Sequence, residues 1–342
     1  MKKRICIILC IILIVTLSAC TCGTSEASFQ AMDTVMSLKV WGSSDACEKL
    51  EDRAHALDER LSPTCADSDI YRLNENGSAA LSDDALSLIK RTLELSAQMK
   101  AYFDPTVYPA VCEWGFIDGN YHVPDDEWLA ALVSLIDSSD VVVDGDTVSL
   151  KSGMSIDLGA VAKGYLADEC REILYDSNAS GAVLNLGGTI LLYGSKPDGS
   201  DFKVGVADPE NPAGYFGYLS CSEGVIATSG GYERFFEQDG KRYIHILDPT
   251  TAKPVDNGTL SVTVFSRDGV LSDALSTALF VMGADKAAEH WRSHRNYDYI
   301  LLSDDGKLFI TEGIADSFTL ADGYHFEIIT VSQEDAYAKK QP

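Results

Sequence analysis

The stretch GAVLNLGGTILLYG, Gly181–Gly194, is where the fold is decided. Two short apolar runs rich in Val, Leu and Ile, bounded and interrupted by glycine, read as strands rather than as helix. Gly187 and Gly188 fall within this strand region. Glycine there weakens pairing and marks either a bulge or a place where something flat lies against the backbone.

Working outward toward the C-terminus, FKVGVADP (202–209), RYIHILDP (242–249) and LSVTVFS (260–266) read as further strands, punctuated by Gly, Pro, Asp and Asn. YILLSDDGKLFIT (299–311) reads as a hairpin turning at Asp305-Gly306. Toward the N-terminus, TVMSLKVW (34–41) alternates as a half-buried strand does. Asp45 is placed to cap a helix whose apolar positions Cys47, Leu50, Ala54, Leu57 and Leu61 recur at helical spacing, and a second helix follows Ser82, with Leu86, Ile89 and Leu93 on one side. The turn-rich LSPTCADSDIYRLNENG (61–77) between them reads as a loop. Helices early, strands in the middle, then a helix and a hairpin, without regular βαβ alternation, indicate an α+β fold.

MKKRICIILCIILIVTLSAC joins a basic head to an apolar run shorter than the ~20 residues a membrane span needs, and reads as a secretory signal over residues 1–19. Leu17-Ser18-Ala19-Cys20 fits a bacterial lipobox, making Cys20 the expected lipid-carrying N-terminus. The expected location is the extracytoplasmic face of the cell membrane. Residues 20–30 then read as a lipidated tether, 31–331 as one domain and 332–342 as a solvated tail.

The loss of Lys2, Lys3 and Arg4 takes 27 basic residues to 24 against 52 acidic ones, and the formal charge from −25 to −28. Such a surface repels nucleic acid and anionic lipid, so a phosphate-bearing ligand needs a local device: a metal ion or helix N-termini. Six cysteines beyond Cys20 are scattered without zinc spacing and select no disulfide pairing.

Four segments carry groups suited to chemistry. In SIDLGAVAKGYLADEC (155–170), Asp157 stands where a helix N-cap would, and Gly159 and Gly164 bracket the first turn. Glycine inside a helix costs about 1 kcal/mol against Ala, so another backbone or a ligand is expected close by. VIATSGGYERFF (225–236) offers the Thr228 and Ser229 hydroxyls and glycine N–H groups to a phosphate, without Walker spacing. His245 lies in an apparent strand, and its use depends on what surrounds it. In LSDALSTALFVMG (271–283), Asp273 and Thr277 share a helix face. Either Ser272 caps this helix, Asp273 favours its positive end and Thr277 bonds back to a carbonyl, or the carboxylate and hydroxyl supply hard oxygens to Mg²⁺.

These segments occur in a familiar order: MDTVMSLKV, LSPTCADSDIYRLN, FDPTVYPAVCEWGF, DLGAVAKGYLAD, LNLGGTILLYGSKPDG, VIATSGGYERFF, HILDPTTAKPV, and SVTVFS followed by SDALSTALFVMG. From about Met32 to Gly283 the chain resembles the ApbE family, the Mg²⁺-dependent FAD:protein FMN transferases. The resemblance implies an α+β fold related to the tunnelling fold, with mixed or antiparallel sheets flanked by helices. It implies transfer of FMN from FAD to a Thr or Ser hydroxyl of an exported protein through a phosphoester bond, with release of AMP. Electron-transfer subunits are the implied acceptors.

By the same resemblance, Asp273, Thr277 and the carbonyl of Ala160 hold Mg²⁺. Met32, Tyr102, Phe103, Asp104, Asp157, Lys163, His245 and Ile246 match positions that contact FAD. His245 is the candidate general base, with Asp157 next. Thr64, near the nucleotide in relatives, stands where some members carry Tyr, and Gly231 stands where Asp is common; the first position bears on transfer against hydrolysis. The rival readings are a Mg²⁺-dependent FAD pyrophosphatase and a flavin- or solute-binding lipoprotein without catalysis.

Overall fold

A computed structural model describes residues 23–333. Its centre is a nine-stranded sheet in which spatial order follows chain order. The strands are β1 (Thr24–Ala31), β2 (Thr34–Trp41), β3 (Gly181–Asn185), β4 (Thr189–Gly194), β5 (Gly224–Gly230), β6 (Thr259–Ser266), β7 (Asp298–Ser303), β8 (Lys307–Thr311) and β9 (Glu327–Val331). Every neighbouring pair is antiparallel except β8 and β9, which run parallel.

The residue pattern explains the layers. In β2, Met36, Leu38 and Val40 are buried, while Val35, Ser37 and Lys39 face outward. In β7, Tyr299 and Leu301 face one core, and Ile300 and Leu302 the other. On the first face lie α1 (Ala46–Leu61), α2 (Asp69–Asn76), α3 (Asp83–Met99), α4 (Ala162–Asp176) and α5 (Gly269–His294), which share the larger apolar core with the sheet. Against the second face packs a three-stranded sheet of Phe202–Asp208, Asn211–Cys221 and Phe318–Leu320, burying Phe202, Val206 and Phe216. A smaller cluster surrounds Trp114, whose indole N–H donates to the Ala252 carbonyl at 2.8 Å.

The α+β class and the sheets flanked by helices hold, and several local readings change. Thr24–Ala31 is a strand paired along its whole length with β2, so the tether expected over 20–30 gives way to the fold at Thr24. The expected loop over 61–77 contains α2: Ser68 accepts from the Tyr71 N–H and Gly77 closes the helix in the left-handed region, so turn-forming residues act here as caps. Gly187 and Gly188, with φ of +83° and +88°, form the turn between β3 and β4 rather than a mid-strand bulge. RYIHILDP is interrupted at His245-Ile246, between Lys241–Ile244 and Leu247–Asp248.

α5 is capped by Asp268, which accepts from the Leu271 N–H at 2.8 Å, and not by Ser272. It continues beyond Gly283 through a break at that residue, where φ is +72°. Among the described residues, Cys47, Cys65, Cys112, Cys170 and Cys221 are free, and no helix is long and apolar enough to cross a membrane. The expected signal segment, Cys20 and tail residues 334–342 lie outside the described residues.

Candidate active site

The floor of the site is a crossing of two helices. A Cβ on Gly164 would stand 2.2 Å from the Gly269 carbonyl oxygen and 2.9 Å from the Asp273 Cβ. A Cβ on Gly269 would meet the Gly164 oxygen at 2.2 Å. Backbone approach, not a ligand, therefore requires Gly164. This proximity lets each helix serve the other's unpaired N–H groups. Asp168 of α4 accepts from the Gly269 and Val270 N–H groups at 2.9–3.2 Å. Asp273 of α5 accepts from the Gly164 N–H at 2.9 Å and, through its other oxygen, from the Thr189 hydroxyl at 3.2 Å. Asp273 is 6% exposed, so these donors hold a buried carboxylate in place.

Thr277 follows one helical turn later. Its hydroxyl lies 3.2 Å from that of Ser229, which in turn lies 2.7 Å from the Ser276 hydroxyl. The bond back to a helix carbonyl expected of Thr277 is made instead by Ser276, to Asp273 at 2.8 Å. Ala160 sits in the turn that leads into α4. Asp157 is not that helix's N-cap: Val161 takes the cap position, and Asp157 accepts from the Gly159 N–H at 2.9 Å.

One wall is formed by the chain leaving β5. Glu233 lies against the β3–β4 turn, where a Cβ on Gly188 would be 3.6 Å from its Oε1. The neighbouring Arg234 reaches Asp33 at the β1–β2 tip, 3.6 Å away. The Arg234 carbonyl receives the His245 backbone N–H at 3.1 Å and lies 3.2 Å from the ring Nδ1. A carbonyl only accepts, so this contact assigns the proton to Nδ1 and leaves Nε2 as the acceptor.

Electrostatics ties these groups together. Burial pushes the His245 ring down to about 4, with the charges of Arg234 and Lys163 acting in the same direction against the Arg234 carbonyl. Burial raises the Asp157 carboxyl, opposed by the Gly159 N–H, Arg234 and Lys163. It also raises Glu233, opposed by Lys163 and Arg234 and reinforced by the like charge of Asp273. Lys163 thus acts on three titratable groups from one position. The ring expected to titrate near neutrality is instead a neutral acceptor at pH 7.

Met32, at the β1–β2 tip with φ of +50°, donates its N–H to Asp58 at 2.8 Å. Phe103 is buried, and the ammonium of Lys286 sits 5.0 Å from the Tyr102 ring centre. The Asp104 carboxylate accepts from Thr106 in its own loop and from the distant Ser138 N–H, while the adjacent Pro105 carbonyl receives the Asp157 N–H at 2.9 Å. Ile246 is buried and accepts from the Val255 N–H. Thr64 is exposed on the α1–α2 connection and bonds to Ser62.

The structure therefore joins Asp157, Lys163, His245, Asp273 and Thr277 into one neighbourhood. Asp104 precedes Pro105, whose carbonyl receives the Asp157 N–H. Sequence reasoning missed Glu233, Arg234 and Thr189; the charged pair after Gly230-Gly231 was the available signal for the first two.

The family model described as ApbE family matches residues 32–301. An FAD:protein FMN transferase of Klebsiella pneumoniae is 32% identical over 275 residues, covering 77% of this chain and 85% of that protein. One from Treponema pallidum is 33% identical over 285 residues, covering 77% and 78%. The crystal structure of an ApbE protein from Thermotoga maritima superposes with a TM-score of 0.79 at 30% identity, covering 85% of this chain and 98% of that one. With most of its length matched in both sequence and architecture, the chain belongs to the ApbE family.

Proposed function

We propose that this chain transfers the FMN half of FAD to a Thr or Ser hydroxyl of another protein. The observation that carries the reading is the neutral His245 ring, with Nδ1 pinned to a carbonyl and Nε2 left to accept, in the same cluster as Lys163 and Asp273. The names of the Klebsiella and Treponema relatives support it.

In the proposed step the acceptor hydroxyl oxygen attacks the phosphorus on the FMN side of the pyrophosphate. A new O–P bond forms, the bridging O–P bond breaks, and AMP leaves carrying the bridging oxygen. The hydroxyl proton passes to His245 Nε2, with Asp157 the next candidate. Lys163 offsets pyrophosphate charge, as the strongly anionic chain requires.

Mg²⁺ would be held by Asp273, Thr277 and the Ala160 carbonyl. The donor chemistry fits: a fixed carboxylate and a hydroxyl one helical turn apart are hard oxygens. When bound, the ion supplies positive charge against the pyrophosphate. Met32, Tyr102, Phe103 and Ile246 would contact FAD, with Thr64 at the nucleotide's edge. Cys20 would carry the lipid that keeps the enzyme at the extracytoplasmic face, where exported electron-transfer subunits are the acceptors.

The test incubates the soluble form, residues 21–342, with FAD, Mg²⁺ and a Thr-containing acceptor protein. Covalently fluorescent acceptor is expected, and chelation is expected to abolish it. Free FMN and AMP with unlabelled acceptor would replace transfer by hydrolysis, and retained intact FAD would leave only binding.

A further inference from the structure

Away from this cluster, a recess of about 420 Å³ opens between α3, α4 and the β6–α5 connection. Three guanidinium groups converge on it: Arg91, Arg171 and Arg267. In a chain with 52 acidic and 27 basic residues, such a gathering calls for an account of its donors and acceptors.

The two carboxylates in the recess are already engaged. Asp168 accepts from the Gly269 and Val270 N–H groups and from Arg171 at 2.6 Å. Asp268 accepts from the Leu271 N–H and from Arg91 at 2.8 Å. Arg91 also reaches Glu94 at 3.3 Å. Donors are left over. Arg171 Nη2 is buried beneath the recess without an acceptor, so the donors open to the recess are those of Arg267. Arg267 is exposed and makes no hydrogen bond or ion pair among the described residues. A guanidinium presents five N–H donors and no acceptor, so what completes the recess is a group that only accepts.

We infer that this recess is an oxyanion site for a phosphate group, separate from the FAD cluster. Guanidiniums arriving from three different elements suit the several oxygens of a tetrahedral phosphate better than the two coplanar oxygens of a carboxylate. The site is built on the same α4–α5 caps that hold Asp273, since Asp168 and Gly164 lie one turn apart on α4. Occupancy therefore stabilises that crossing.

Inorganic phosphate titrated into residues 21–342 and followed by ³¹P NMR and thermal unfolding should show saturable binding and a raised Tm. Arg267→Ala should weaken binding by about tenfold or more, the loss expected of a charge-assisted bidentate contact, and Lys163→Ala should leave it unchanged. Arg267 is exposed, so its substitution tests the site without endangering the fold, and unchanged FAD binding by that variant checks this. No saturable binding, or binding lost in Lys163→Ala and kept in Arg267→Ala, would overturn the assignment. Parallel titrations with AMP and with vesicles containing phosphatidylglycerol separate the sources of the phosphate. An Arg267-dependent response to AMP identifies a soluble phosphomonoester, and one to vesicles identifies a lipid headgroup.

Discussion

The floor and the wall of the candidate active site are built by different means. On the floor, α4 and α5 touch backbone to backbone at Gly164 and Gly269, and the Asp168 and Asp273 carboxylates each occupy N–H groups of the opposite helix. On the wall, His245 follows the hairpin strands Phe235–Gln238 and Lys241–Ile244, which rest on stacked rings. Phe236 lies 5.1 Å from Tyr243 and 5.2 Å from Tyr121, and Phe116 lies 6.4 Å from the His245 ring. The floor fixes where a charge sits. The wall fixes, through burial, which protonation state a ring holds.

The sharpest way to break the floor is to remove its charge. Asp273→Ala should lower transfer by a factor on the order of 10³, the loss expected when a preorganised electrostatic partner of a phosphoryl transfer disappears. Part of any such loss could come from the Gly164 N–H left without an acceptor. Asp273→Asn is the control, because it keeps an acceptor while removing the charge. Steady-state rates across a Mg²⁺ titration should show both variants inactive and only the Ala variant markedly less stable. An active Asn variant would make Asp273 a helix clasp and nothing more.

The wall is tested through pH. His245 titrates at about 4 in the free protein, so kcat/KM should fall as pH drops through about 4 and stay level above it. With the anionic substrate bound, the imidazolium is favoured and the acidic limb of kcat should move upward. His245→Ala should lose about a hundredfold in rate together with that limb. A kcat/KM limb at the ordinary histidine value would mean that the ring is solvated in the working enzyme and that the wall does not set its protonation state.

Much of this arrangement was legible in the sequence where local periodicity and local contacts coincide. The alternation in TVMSLKVW and the helical spacing of Cys47, Leu50, Ala54, Leu57 and Leu61 each name a buried face, and each is buried as expected. Asp273 and Thr277 could be paired because i and i+4 on one helix are neighbours. The contacts of Glu233 and Arg234 were not legible, because Gly188 and Asp33 reach them from distant strands. α2 was hidden because Ser68 and Gly77 look like loop residues when their capping role is not visible. The His245 protonation state depends on surroundings assembled from the whole domain, to which a single residue type gives no guide.

A smaller break in the floor sets propensity against packing. Gly164→Ala should gain about 1 kcal/mol from helix propensity, but its methyl would meet the Gly269 carbonyl at 2.2 Å. Two backbones must separate to admit it, and overpacking of this kind costs about 1–3 kcal/mol. Net destabilisation by urea unfolding is therefore expected, with weakened apparent Mg²⁺ affinity as Asp273 is displaced. A more stable variant would show the crossing to be loose.

The mildest perturbation lies where floor and wall meet, at Ser229. Its hydroxyl bridges Ser276 at 2.7 Å and Thr277 at 3.2 Å, joining the end of β5 to α5. Ser229→Ala removes one partner from each hydroxyl and leaves the helix ladder untouched, so the stability cost should be about 1 kcal/mol. The Thr277 hydroxyl would then be oriented by α5 alone. The expected result is a few-fold weaker Mg²⁺ dependence with nearly unchanged kcat at saturating Mg²⁺ and an unmoved pH limb, since His245 belongs to the wall. A shifted pH limb in this variant would mean that the two regions are coupled through β5, and that the ring's environment depends on the floor as well as on its own hairpin.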